Sequence, residues 1–210
     1  MKRAMSFGAG FVLALLMMLL AVAGPALRTD LFEHALLKTV NREAVGIDEA
    51  SLRLFAAETM AYLRGEKENW EPSVTLYGFA AEEAIPQRFR MHMGEVRGWV
   101  KALPWVLGAG FALALALFLP SRNRRASLTG LFCAVGLLLA VLLWAALDFH
   151  SLWMILHRLF IPDGIFSARE PVMQLFPLAL FFEYLTPVSM ALLIDLVIAF
   201  FFLRFTTLRP

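Results

Sequence analysis

The sequence has few of the residues and motifs that mark well-known classes of enzyme. Its 210 residues include a single cysteine, Cys133, which excludes a disulfide within the chain and any multi-cysteine metal or iron–sulfur site. It contains no HExxH zinc motif, no GxSxG nucleophile elbow and no phosphate-binding glycine loop. The formal net charge is only +2, too small to indicate a nucleic-acid partner.

Apolar residues, by contrast, make up 60% of the chain and occur in runs long enough to cross a bilayer. We predict an all-α membrane protein with an extracytoplasmic helical cap, a broken, aromatic-rich interfacial segment and four transmembrane helices, at residues 1–27, 102–119, 128–148 and 187–203. The remaining segments are 28–101, 120–127, 149–186 and 204–210.

The first apolar run has two readings. Ala21-Val22-Ala23 before Gly24 resembles a signal-peptidase site after a basic start. The run from Phe7 to Leu27 nevertheless exceeds a signal peptide's usual apolar length and rises about 31 Å, enough for a span. A retained span is favoured, and both readings place the next segment outside the cytoplasm.

Basic residues in the short segments predict the orientation. With four spans they fall on one side, which the positive-inside rule makes cytoplasmic; they are Lys2, Arg3, Arg122, Arg124, Arg125, Arg204 and Arg209. Both termini are then cytoplasmic, segments 28–101 and 149–186 are extracytoplasmic, and the protein is a multi-pass protein of the cell membrane.

Segment 28–101 carries ten Lys/Arg and twelve Asp/Glu, and its pattern is helical. Asp48 is placed to cap a helix that Gly65 ends. Residues 66–73 are predicted as a loop and 80–84 as a short turn. Pro86 limits the start of a further helix, which contains His92 and runs into the second span.

The stretch 149–182 is too interrupted for a span and too aromatic for an ordinary loop. It contains His150 and His157, and its predicted breaks are Pro162, Asp163, Gly164, Pro171 and Pro177. Phe149, Trp153, Phe160 and Phe166 supply apolar surroundings of the kind found at headgroup level.

We interpret His92 and His157 as a catalytic pair acting on an ester or amide bond of a lipid, since imidazole takes up and returns a proton at neutral pH. The alternative is that both are ordinary interfacial residues, as His34 and His150 also can be. Glu95 is placed to orient an imidazole and Arg97 to hold a carbonyl or phosphate oxygen, although both also fit solvated helix-surface charges. Asp195, inside the fourth span, fits a structural role better than a catalytic one.

Two motifs resemble a known family. They are HMGEVRGWV (residues 92–100) and LHRLFIPDGIF…VMQLFPLALFF (residues 156–182), and together with four spans they are similar to the bacterial lipoprotein intramolecular transacylases, the Lit family. Family members have Asp where this chain has Glu95, and an aromatic pair is more typical where it has Leu159.

The resemblance implies an acyltransferase that moves the sn-2 acyl chain of a diacylglyceryl-cysteine lipoprotein to the N-terminal α-amine, giving the lyso form. The resemblance implies no cofactor, because the acyl donor and the acceptor belong to one molecule. It also implies that the partners of the protein are diacylated bacterial lipoproteins and membrane phospholipid. It implies catalysis by His92 and His157, with five substrate-binding or supporting residues: Glu95, Arg97, Trp99, Phe160 and Phe176.

Two other classes remain open from the residues alone. A non-catalytic membrane accessory or assembly protein would use the 28–101 helices to bind a partner. A haem-binding membrane protein is less favoured, because the histidines lie in loops and at span ends rather than inside facing spans.

Overall fold

A computed structural model describes residues 1–121, 123–161, 166–167 and 170–206. The predicted breaks at Pro162, Asp163 and Gly164 lie outside the described residues, as does the end of the predicted tail from 207 onward. The chain forms two compact units. Of the described residues, those within 1–24, 103–152 and 188–206 form one unit, and those within 25–102 and 153–187 form the other. We call them the span unit and the cap unit.

The described residues are mostly helical. The helices are α1 Lys2–Ala26, α2 Thr29–Thr39, α3 Arg42–Val45, α4 Glu49–Arg64, α5 Ala81–Ala84, α6 Gln87–Phe118, α7 Arg124–Phe160, α8 Leu178–Glu183 and α9 Leu185–Thr206. Two short antiparallel strands are β1 Thr75–Leu76 and β2 Phe79–Ala80. Among the described residues, four helices are long and apolar enough to cross a membrane, namely α1, α6, α7 and α9, which confirms the predicted fold class.

Helix α6 is longer than a bilayer requires. Its 32 residues rise about 48 Å, whereas the hydrocarbon core is about 30 Å thick. Five charged residues fall among its first fifteen and none between 102 and 118. The apolar second half is therefore the span, and the first half, which carries His92, belongs to the cap unit.

Helix α7 is interrupted at Asp148, the residue at which the predicted third span ends. Its φ of −152° and ψ of 75° are not helical. The Asp148 carboxylate accepts a hydrogen bond from the backbone N–H of Ser151 at 3.0 Å, as an N-cap does. A new helical stretch thus begins after Asp148 and carries Trp153 and His157.

In the span unit, α1 and α7 pack through small residues. A Cβ added to Gly130 would overlap the carbonyl oxygen of Phe7, and one added to Gly10 would overlap that of Ser127. Such close backbone approach is typical of helix association in lipid. Apolar side chains are already in an apolar environment there, so their burial between helices contributes little free energy.

The cap unit has a true hydrophobic core around α4. Asp48 accepts a hydrogen bond from Ser51 N–H, and Gly65 adopts a left-handed conformation with φ of 85°, so both predicted ends of α4 are confirmed. Fully buried side chains include Leu36, Leu52, Phe55, Met60, Leu76 and Leu175. The unpredicted hairpin of β1 and β2 turns at Tyr77 and Gly78, both with positive φ, as a two-residue turn requires.

Candidate active site

One face of α6 carries four chemically distinct side chains. Arg88, His92, Glu95 and Trp99 are spaced four, three and four residues apart, so they form a single stripe along the helix. The stripe lies in the cap unit and faces residues from the 153–166 segment of the same unit.

His157 is held by its own helix. Its Nδ1 lies 3.0 Å from the carbonyl oxygen of Trp153, one turn earlier. Because a carbonyl only accepts, Nδ1 carries the proton in this bond, and the neutral ring presents Nε2 as an unprotonated acceptor. The Trp153 ring packs against the imidazole with centroids 4.2 Å apart and also contacts Phe181. This arrangement fixes both the orientation and the tautomer of a potential base.

His92 lies next to His157. Their ring centroids are 6.2 Å apart with an interplanar angle of 28°. Phe89 and Phe166 flank His92 edge-on, at 5.6 and 5.4 Å. The structure therefore brings together the two histidines that the sequence singled out, although 65 positions separate them in the chain.

The two imidazoles differ electrostatically. Burial among aromatic rings, followed by the charge of His157, lowers the pKa of His92 to about 4 from its ordinary value of 6.5. The Nδ1 atom of His92 is buried without a hydrogen-bond partner among the described residues. At neutral pH, His92 is an uncharged ring whose Nδ1 is not used by the described part of the protein.

Glu95 also carries an unused buried atom. Its Oε2 has no hydrogen-bond partner within the described ranges. Glu95 follows His92 by one helical turn on the same face, so the buried oxygen belongs to the histidine side of α6. Buried polar groups normally have partners, so an unpartnered oxygen one helical turn from His92 is a candidate contact for a bound polar group.

Arg97 lies on another face of α6. It donates to the carbonyl oxygen of Glu68 at 2.6 Å and to that of Lys67, and its guanidinium stacks 4.6 Å from the ring centroid of Tyr62. The structure does not bring Arg97 together with His92, and these contacts favour a role in fastening the 66–71 loop.

Arg88 lies on the same helical face as His92. Its guanidinium carbon lies 4.7 Å from the centroid of Phe166, whose ring also flanks His92. The available signal was its spacing: it precedes His92 by four residues and so shares the same helical face. Sequence reasoning weighed only the charges that follow His92.

The three aromatic candidates lie in the cap unit. Trp99 donates its Nε1–H to the Phe160 carbonyl oxygen at 3.0 Å and meets the Phe160 ring edge-on at 5.5 Å. Phe176 lies deeper, with its centroid 5.3 Å from Phe89 and 6.0 Å from Phe55. Trp99 and Phe160 thus join α6 to the His157 segment, and Phe176 supports Phe89 behind His92.

No group of three or more metal-ligating side chains occurs in the part of the chain that the structure describes. The described site contains two imidazoles among aromatic rings and the carboxylate of Glu95 on the same face of α6.

A family model described as lipoprotein intramolecular transacylase Lit matches residues 7–182. The chain belongs to the Lit family. It is accordingly an integral membrane protein of an acyltransferase family, which confirms the resemblance found in the two sequence motifs. No curated protein sequence matches the chain.

Solved structures support the same fold. One is the membrane integral lipoprotein intramolecular transacylase Lit from Bacillus cereus with a histidine-to-arginine substitution, 15% identical, with a TM-score of 0.74 over 98% of this chain and 91% of that chain. The same enzyme with a histidine-to-alanine substitution gives a TM-score of 0.74 at 15% identity, covering 98% and 93% of the two chains. A third Bacillus cereus Lit structure gives 0.72 at 15% identity, covering 98% and 95%. At this identity the likeness shows the fold, and the Lit-family assignment rests on the sequence model.

Proposed function

We propose that this protein moves the sn-2 acyl chain of a diacylglyceryl-modified lipoprotein from glycerol to the α-amine of the N-terminal cysteine, leaving the lyso form. The observation that carries the proposal is the pairing of His92 and His157 inside an aromatic enclosure of the cap unit. Such a pair suits a reaction whose net proton movement is from nitrogen to oxygen.

His157 is the general base in this proposal. The amine nitrogen attacks the ester carbonyl carbon, and a C–N bond forms as Nε2 of His157 takes the proton from nitrogen. The tetrahedral intermediate then expels the glycerol oxygen as the C–O bond breaks, and that oxygen receives the proton. The Trp153 carbonyl stabilises the transient imidazolium by accepting its Nδ1–H.

His92 is the neutral partner. Because its pKa is lowered to about 4, it remains uncharged and donates a hydrogen bond to the oxyanion of the intermediate rather than competing for the proton. The unpartnered Nδ1 of His92 and Oε2 of Glu95 supply further polar contacts for the amine and the glycerol hydroxyl.

No separate acyl donor and no cofactor are required, because the ester and the amine belong to one molecule. The reaction is already intramolecular, so the contribution of the protein is to hold the amine and the ester in attacking geometry. Trp99 and Phe160 contact each other within the cap unit, and Phe176 packs against Phe89, whose ring flanks His92.

The lipid character of the substrate fits the apolar spans, with its acyl chains remaining among membrane phospholipids. We place the protein in the bacterial cell membrane with both termini in the cytoplasm and the histidines on the extracytoplasmic side, where mature lipoproteins are found. The basic residues of the short segments support this orientation. Membership of an acyltransferase family favours this function over the accessory-protein and haem-protein alternatives.

The test uses purified protein and a synthetic diacylglyceryl-cysteine lipopeptide with a free amine. Transfer leaves the mass unchanged, so tandem mass spectrometry must locate the acyl chains. The expected product carries one chain on nitrogen and one on glycerol. If both chains stay on glycerol in membrane-like lipid with folded protein, the proposal is wrong and the accessory-protein reading gains support.

A further inference from the structure

A polar groove lies on another face of α6 from the histidine stripe, within the cap unit. It encloses about 290 Å³ and is lined by residues of α4, the 66–71 loop and the start of α6, namely Tyr62, Glu68, Asn69, Trp70, Glu71, Gln87, Arg90 and Met91. The mechanism proposed above uses none of these residues.

The floor and the rim of the groove differ in chemistry. Tyr62 and Trp70 are buried and form an aromatic floor, whereas Glu68 and Glu71 are exposed on the rim. Nε of Arg90 is buried and has no hydrogen-bond partner within the described part of the chain. Two exposed carboxylates on the rim favour a cationic side chain, and an unused guanidinium N–H favours a carbonyl oxygen. A polypeptide that contains lysine offers both groups.

The groove is built as a fixed feature. Arg97 donates to the carbonyl oxygens of Lys67 and Glu68 and stacks on Tyr62, so it fastens the loop to α6. The indole N–H of Trp70 donates to Thr59 at 3.1 Å in the core. Rim and floor are therefore held before any ligand arrives, which lowers the entropic cost of binding.

The groove is also close to the histidines along the same helix. Met91 lines the groove and His92 is the next residue, so their Cα atoms are about 3.8 Å apart. A helix with its side chains is about 10–12 Å across, and an extended chain advances about 3.3 Å per residue. A peptide attached to a cysteine at the histidine pair therefore reaches the groove within about three or four residues.

We propose that this groove binds the lipoprotein segment that directly follows the lipid-bearing cysteine and selects for basic residues in it. The inference rests on the proposed function and adds a substrate preference to it. Glu68 and Glu71 hold the cationic side chain, and Arg90 donates to a peptide carbonyl.

The test compares two lipopeptides with the same diacylglyceryl-Cys-Ser start, one continuing with four lysines and the other with four glutamates. They are presented in uncharged detergent micelles so that charge does not change their surface concentration. For each enzyme variant, the ratio of kcat/KM for the lysine peptide to that for the glutamate peptide is measured. We expect the native ratio to exceed one and the Glu68→Gln/Glu71→Gln double variant to lower it by about threefold to tenfold, mainly through KM.

Reversing the charges makes the test sharper. Glu68→Lys/Glu71→Lys is expected to invert the preference, and high salt is expected to shrink the native ratio because exposed charges are screened. The matched control, Glu82→Gln/Glu83→Gln, removes two exposed carboxylates from α5 that do not line the groove. An unchanged ratio in both groove variants, or an equal loss in the control, overturns the groove assignment.

Failure of the groove and failure of the function are distinguishable. A minimal substrate, diacylglyceryl-cysteine amide, has no peptide to occupy the groove. If the native protein transfers acyl chains on it but shows no charge preference among peptides, only the groove inference is wrong. If no substrate is converted, the proposed function itself is wrong.

Discussion

The cap unit and the span unit are stabilised in different ways. The cap unit buries large side chains, including Phe55, Leu52 and Met60, as water-soluble domains do. The span unit buries alanines such as Ala9 and Ala134 beside larger residues such as Phe118, and exposes large ones such as Trp105 and Leu193. The two histidines therefore lie in the unit whose core contains large and aromatic side chains, while the spans provide the membrane attachment.

The largest expected effect is on catalysis. Replacing either His92 or His157 with alanine is expected to lower the transfer rate by about 10²–10⁴-fold, the usual contribution of a positioned acid or base. The matched control is His34→Ala, an exposed histidine on α2 of the same unit, which is expected to keep the native rate. Tandem mass spectrometry of the lipopeptide product measures all three, and an equal loss in His34→Ala would remove the special status of the pair.

The next largest effect is on stability, and the same Phe→Ala substitution is compared in the two units. Phe55→Ala in the cap unit is expected to lower the free energy of unfolding by about 3–5 kcal/mol, because Phe55 is fully buried. Phe132→Ala in α7, whose side chain is 59% exposed, is expected to cost less than about 1 kcal/mol. Denaturation in mixed micelles followed by circular dichroism compares them, and similar losses would contradict the distinction between the units.

A smaller effect tests the packing of the spans. Gly130→Ala is expected to cost about 1–3 kcal/mol, because the added Cβ overlaps the Phe7 carbonyl oxygen. Gly136→Ala in the same helix meets nothing within 4 Å and is expected to be neutral or slightly stabilising. Thermal unfolding in detergent compares the stabilities of the two variants. A loss of stability in Gly136→Ala as large as in Gly130→Ala would show that backbone contact is not the cause of the loss.

The smallest expected change concerns pH. Since burial lowers the pKa of His92 to about 4, the unfolded chain binds this proton at higher pH than the fold does. The stability conferred by neutral His92 is present above pH 6.5 and is lost as the pH falls towards 4. Nuclear magnetic resonance of ¹³C-labelled histidine is expected to show His92 unchanged between about pH 6 and 8. A midpoint near the ordinary value would contradict its role as the neutral partner.

Local signals predicted much of the helical architecture. Capping by Asp48 and termination at Gly65 follow from backbone chemistry that a few residues determine. Pro86 likewise marks the residue before α6. The hairpin at 75–80 was missed because Tyr77 takes a positive φ, which is rarely expected for an aromatic residue.

The site was less accessible to local reasoning. Position and sidedness indicate His92 and His157 as a pair but do not distinguish them from interfacial histidines, and the family resemblance implies the same two residues. Arg97 and Arg88 illustrate this limit. Both are near His92 in sequence, but Arg88 lies on the histidine face and stacks on Phe166. Arg97 lies on another face and donates to the carbonyl oxygen of Glu68. Such partners depend on tertiary structure, which a local pattern does not contain.

The most direct measurement of the central claim is a crossover experiment. Two diacylglyceryl lipopeptides are mixed, one with deuterated acyl chains and the other with a ¹³C-labelled peptide, and the products are analysed by tandem mass spectrometry. The account predicts that every N-acyl chain stays with its own peptide and that His157→Ala suppresses the product. N-acyl chains exchanged between peptides, or undiminished transfer in folded His157→Ala protein, would contradict intramolecular transfer by this histidine pair.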